Sequence, residues 1–67
     1  MTITLKAART NVGLSREKAA VMLGISAESL KNYENGKTFP TVDTVKKMED
    51  LYGVAYADLN FIPKVTV

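Results

Sequence analysis

Ala27-Glu28-Ser29-Leu30-Lys31-Asn32-Tyr33-Glu34 gathers the most suggestive side chains of this 67-residue chain into eight positions. Wound as a helix at about 100° per residue, the segment divides into two halves. Ser29, Leu30, Tyr33 and Glu34 share one half, which holds its only large apolar side chains. Ala27, Glu28, Lys31 and Asn32 share the other and offer a methyl, a carboxylate, an ammonium and a carboxamide. Those four groups match what a duplex presents in its major groove. Asn pairs with adenine, Glu accepts from cytosine N4, Lys donates to guanine and Ala meets the thymine methyl. A solvated surface helix also shows a polar outer face, so this segment alone leaves both readings open.

Other chemistries have little to work with. The chain has no cysteine and no histidine, which removes disulfides, thiolate metal sites, the commonest metal ligand and the usual general base. No Gly-rich phosphate loop or nucleophile–base pair is visible, and Ser15, Ser26 and Ser29 suit helix caps or small packing positions. The expectation is therefore no enzyme, no cofactor and no metal. With 46% hydrophobic and 24% charged residues and a mean hydropathy of −0.02, the composition is that of a globular domain. No basic–apolar–small pattern opens the chain, so a cytoplasmic protein is expected. The net charge of +2 is uneven. Lys6, Arg9, Arg16, Lys18, Lys31 and Lys37 face only Glu17, Glu28 and Glu34 in residues 1–38. In residues 39–67, Lys46, Lys47 and Lys64 face Asp43, Glu49, Asp50 and Asp58. A basic front half is a weak pointer to a polyanionic partner.

The elements that must position the segment are set by punctuation. Gly13, Gly24, Gly36 and Gly53 divide the chain into helix-sized pieces. The first helix is expected over about residues 3 to 12, with Leu5, Ala8 and Val12 on one side. Ser15 caps a second over 16 to 23, and Ser26 caps a third over 27 to about 34. Thr41 caps a fourth, in which Val42, Val45, Met48, Leu51 and Tyr52 recur at three and four. A short fifth is expected over 55 to about 60, and Pro63 stops helix in the tail 61–67. No strand pattern appears before that tail. The reading is a single domain over 1–67, all-α, a compact bundle of five short helices.

Only Gly24-Ile25-Ser26 links the second and third helices, which forces a sharp angle between them. Ala20, four residues before Gly24, lets the backbones approach, and Leu30, six after it, turns inward. The spacing describes a helix-turn-helix over about 16–34. The chain resembles the Cro/repressor-type helix-turn-helix family, also called XRE, over about residues 3 to 60. The resemblance rests on Leu5–x3–Arg9, Gly13-Leu14-Ser15-Arg16, Ala20–x3–Gly24-Ile25-Ser26 and Tyr33-Glu34-Asn35-Gly36-Lys37. Pro40-Thr41, followed by an amphipathic helix ending Leu51-Tyr52-Gly53-Val54, completes it.

The resemblance implies a lambda-repressor-like fold whose third helix enters the major groove. It makes Ala27, Glu28, Lys31 and Asn32 the base readers, and Arg16, Asn35, Lys37 and Thr38 the phosphate contacts. It also implies an internal ion pair between Arg9 and Glu34. Ala27 and Glu28 stand where relatives often carry long amides, and Ala19 where they commonly carry a larger aliphatic residue.

The implied function is a sequence-specific transcriptional regulator of prokaryotic or phage type, acting on double-stranded DNA. The expected form is a repressor on a palindromic operator, with RNA polymerase as a further partner. One copy has a small footprint, whereas a homodimer reads two half-sites about 34–36 Å apart. The expected seam is Tyr56, Leu59, Phe61, Ile62, Val65 and Val67; a competing reading folds that tail over its own core, and a third leads it to a further domain, as in longer repressors. A protein-interaction module of antitoxin or anti-repressor kind, which keeps the fold without specific DNA binding, is the alternative function.

Overall fold

Thr4, Ser15, Ser26 and Thr41 open helices in the same way. In the computed structural model, which describes residues 2–61, each hydroxyl accepts a backbone N–H three residues on. Thr4 receives Ala7 N–H at 3.1 Å, Ser15 receives Lys18 at 3.1 Å, Ser26 receives Ser29 at 3.0 Å and Thr41 receives Thr44 at 3.3 Å. Each satisfies a first-turn donor that has no partner inside its helix. The helices are α1 (Leu5–Asn11), α2 (Arg16–Leu23), α3 (Ala27–Glu34) and α4 (Val42–Tyr52).

Among the described residues there are four α-helices rather than the expected five. Tyr56–Asp58 makes a single 3-10 turn, pinned by Glu49 Oε2, which accepts Tyr56 N–H at 2.6 Å. The chain then extends, because Leu59 must enter the core and pair with the N-terminal segment. Ile3–Thr4 (β1) and Leu59–Asn60 (β2) form a parallel ladder, Ile3 opposite Leu59 and Thr4 opposite Asn60. This corrects both the helical start at residue 3 and the absence of strand: a two-residue ladder is too short for an alternating pattern to register.

Two apolar positions are also corrected. Val12 lies beyond the last residue of α1 and is 41% exposed, so the helical projection that set it beside Leu5 does not apply. Val42, in the first turn of α4, is 71% exposed, while Val45, Met48 and Tyr52 carry that helix's buried face.

The core gathers Leu5 and Ala8 of α1, Ala19, Ala20 and Leu23 of α2, Leu30 of α3 and the buried face of α4, closed by Leu59 and Phe61. Burying a large aliphatic side chain contributes about 1.5–3 kcal/mol, so Leu5, Leu23, Leu30 and Met48, all fully enclosed, anchor the four helices to one another. Gly24 turns the chain between α2 and α3 at φ +74°. There Ile25 N–H reaches back to Ala20 C=O at 3.0 Å and closes the end of α2.

Candidate nucleic-acid interface

Leu30 fixes the rotation of α3. It is fully buried, Tyr33 packs against the core beside it, and the opposite face is left outward. Glu28 and Lys31 are exposed on that face. Ala27 and Asn32 are half-buried, and Ala27 packs in part against the core, so the outward set is narrower than the helical projection suggests. Ser29 is tied to the cap, with Ser26 Oγ donating to its hydroxyl at 2.9 Å.

The loop after α3 folds back on its parent helix. Lys37 N–H donates to Asn32 C=O at 2.9 Å, and Thr38 N–H approaches the same oxygen at 3.5 Å. Gly36 makes this return possible at φ +77°. Asn35, Lys37 and Thr38 are exposed, so the loop presents an ammonium, a hydroxyl and a carboxamide next to the last turn of α3.

Behind that turn lies a charged cluster. Arg9 Nε donates to Glu34 Oε2 at 2.7 Å, Arg9 Nη2 to Glu34 Oε1 at 3.4 Å, and Arg9 Nη1 to the carbonyl of Leu14 at 2.9 Å. One guanidinium thus joins α1, the approach to α2 and the end of α3. The side chains are 10% and 2% exposed, and this burial makes the pair matter more than a surface ion pair. Arg16 adds a second cation. Its Nε lies 3.5 Å from Glu34 Oε1, buried and without a hydrogen-bond partner, while about a third of the side chain (34%) stays open. Arg16 therefore sits beside the last turn of α3, where the 35–38 loop departs.

Tyr52 closes the cluster from α4. Its hydroxyl is buried with no hydrogen-bond partner, and its pKa is pushed up to about 12. Burial is the main cause; the Glu34 carboxylate adds to it, and Arg9 acts in the opposite direction. Neither the second arginine on Glu34, nor the Leu14 carbonyl on Arg9, nor Tyr52 was legible from spacing, because they join the Arg9–Glu34 pair from different helices or loops.

Fold and surface together define a helix-turn-helix domain: a short turn at Gly24 between α2 and α3, a polar α3 face and a cationic side chain at the start of α2. Residues 5–59 match the helix-turn-helix family model, and the chain belongs to that family, of XRE type. It is 37% identical over 51 residues to the SPbeta prophage-derived uncharacterized HTH-type transcriptional regulator YonR of Bacillus subtilis, covering 76% of this chain and 47% of that protein. It is 39% identical over 51 residues to the HTH-type transcriptional regulator ImmR of the same species, covering 76% and 40%. To a putative HTH-type transcriptional regulatory protein of Methanosarcina acetivorans it is 36% identical over 53 residues, covering 79% and 16%. The chain spans less than half the length of these curated relatives. No helix among the described residues is long and apolar enough to cross a membrane.

Proposed function

We propose that this domain binds double-stranded DNA and regulates transcription, with α3 in the major groove. The observation that carries the reading is the joint exposure of Glu28 and Lys31 on a helix whose other face is locked by Leu30, with Arg16 and the 35–38 loop flanking its end. Membership of a helix-turn-helix family and relatives named as transcriptional regulators support it. In this reading Glu28 accepts from a cytosine amine, Lys31 donates to guanine, Asn32 pairs with adenine and Ala27 meets a thymine methyl. Arg16, Asn35, Lys37 and Thr38 hold phosphates, which sets register and most of the affinity. Glu28 repels phosphate unless it finds its amine, so it sharpens selectivity while lowering affinity.

The regulator acts as a repressor, and two copies occupy a palindromic operator. The expected dimer seam needs revision. Leu59 and Phe61 are buried in their own core, Tyr56 is half-exposed, and Ile62, Val65 and Val67 lie outside the described residues. Phe39, Val42 and Tyr56 form one apolar surface open to a second copy, and with Pro40 and Val45 they line a groove of about 400 Å³. Lys46 and Glu49 stand at this groove, an opposite-charge pair suited to reciprocal contact across a two-fold axis.

In-vitro selection of duplexes, followed by fluorescence anisotropy, tests the reading. A selected palindrome with half-sites about 34–36 Å apart is expected. Retention of a protein partner with no duplex bound at physiological salt would instead favour the interaction module. Val21 and Met22, 76% and 56% exposed on α2, are the observation behind that second reading.

A further inference from the structure

We propose that Glu34 is a positioning residue for DNA contact: its buried carboxylate holds Arg16 by the Nε side and presents the Nη end of that guanidinium to a backbone phosphate. The inference rests on the DNA-binding reading above and assigns Glu34 a role beyond its pairing with Arg9.

Three observations carry it. Glu34 Oε2 is taken by Arg9 Nε at 2.7 Å, whereas Oε1 has only a long 3.4 Å bond from Arg9 Nη2 and lies 3.5 Å from Arg16 Nε. One carboxylate therefore faces two guanidinium groups, and its second oxygen is the less committed. Arg16 Nε is inaccessible to solvent and has no hydrogen-bond partner, yet about a third of the side chain remains open. A buried N–H without a partner is unfavourable, and the attraction of Glu34 is what retains it. Arg9 Nη1 also binds the Leu14 carbonyl, two residues before Arg16, so the same cluster fixes the backbone that carries Arg16.

The guanidinium is planar, and its donors lie in a fixed fork. With Nε turned toward Glu34, Nη1 and Nη2 form the edge left for an incoming oxyanion, which they can meet with two parallel bonds. The bound state would then alternate phosphate, Arg16, Glu34 and Arg9, each charge beside its opposite. A lysine at position 16 keeps the cation but has no Nε to hold.

The test turns on a sign. Removing a negative charge from a DNA-binding surface by itself tightens binding, so a Glu34 that only contributes charge predicts stronger binding by Glu34→Gln. Positioning predicts the reverse. Anisotropy on the selected duplex would compare wild type, Arg16→Ala, Glu34→Gln and the double variant over a salt series, with folding checked by circular dichroism. We expect Arg16→Ala to lose about tenfold in affinity and to lower the salt slope by about 0.9. Glu34→Gln should lose about fivefold alone and nothing further in the Arg16→Ala background, a coupling of the size found for residues in contact. Equal losses in both backgrounds, or tighter binding by Glu34→Gln, overturn the proposal while leaving DNA binding intact. A wild-type chain that binds no duplex overturns the DNA-binding reading and this inference with it. Should Glu34→Gln fail to fold, the wild-type Arg16 Nε–H signal decides: slow exchange with solvent supports the proposal, and exchange as fast as in free arginine overturns it.

Discussion

Arg9 Nε donates to Glu34 Oε2 at 2.7 Å across 25 residues of sequence, joining the first and third helices through a carboxylate that is 2% exposed. This contact sets the roll of α3 from its C-terminal end, as Leu30 does from its middle. Stability and the proposed DNA contact consequently share one cluster.

Truncating Arg9 should be strongly destabilising. Arg9→Met keeps much of the stem but leaves Glu34 with Arg16 alone, at 3.5 Å and without a hydrogen bond, and frees the Leu14 carbonyl. A loss of about 3–5 kcal/mol is expected, read from the urea midpoint at unchanged m. A loss below about 1 kcal/mol would show that the pair behaves like one on the surface.

Tyr52 gives the fold an alkaline limit. Its folded pKa of about 12 lies above the ordinary 10.0, so the folded state holds the proton more tightly than the unfolded chain. The associated stability is fully present below pH 10 and is lost as pH rises from 10 through 12, about 2–3 kcal/mol in all. Tyr52→Phe removes both the titration and a buried hydroxyl without a partner. It should match or slightly exceed wild type at pH 7 and stay flatter above pH 10, which urea midpoints at pH 8, 10 and 11.5 would reveal.

Base and phosphate contacts should separate by kind. Asn32→Ala is expected to cost about 1–3 kcal/mol on the selected duplex and to relax preference at one base pair. Lys37→Ala should weaken binding evenly across sequences and lower the salt slope by about 0.9. Selection repeated with each variant checks both outcomes. A uniform loss with Asn32→Ala would remove Asn32 from the readers.

Val42→Asp probes self-association without disturbing the core. Val42 is 71% exposed, and an acidic residue in the first turn of α4 complements the helix dipole. Monomer stability should hold within about 0.5 kcal/mol, while dimer formation in sedimentation weakens at least tenfold. Unchanged association would place the seam elsewhere.

Local signals were legible where a cap or a glycine bounded the element, although period alone misplaced Val12 and Val42 at helix ends. Ser15, Ser26 and Thr41 marked three helix starts, Gly24 and Gly53 two helix ends, and α2 and α3 run over the residues that these signals enclose. Leu30 on the inward half of α3 followed from period alone. Errors gathered where a partner distant in sequence decided the outcome. Leu59 left helical geometry to pair with Ile3, and Thr4 paired opposite Asn60, so the first helix starts later than expected. Phe61 turned in to meet Phe39 and Tyr56, with ring centroids 4.9 and 5.6 Å away, which decided between the seam and core readings of that residue.

By itself the sequence determined three capped helix starts, a short α2–α3 turn and a family, because caps, left-handed glycines and helical period act within about one turn of the chain. Tertiary structure alone decided that Glu34 faces two arginines, that Tyr52 is buried beside them, and that Leu59 and Phe61 belong to the core rather than to an open seam. The reason is physical: burial and charge pairing depend on which surfaces meet when helices pack, and spacing along one chain does not encode the distance between residues 9, 16, 34 and 52.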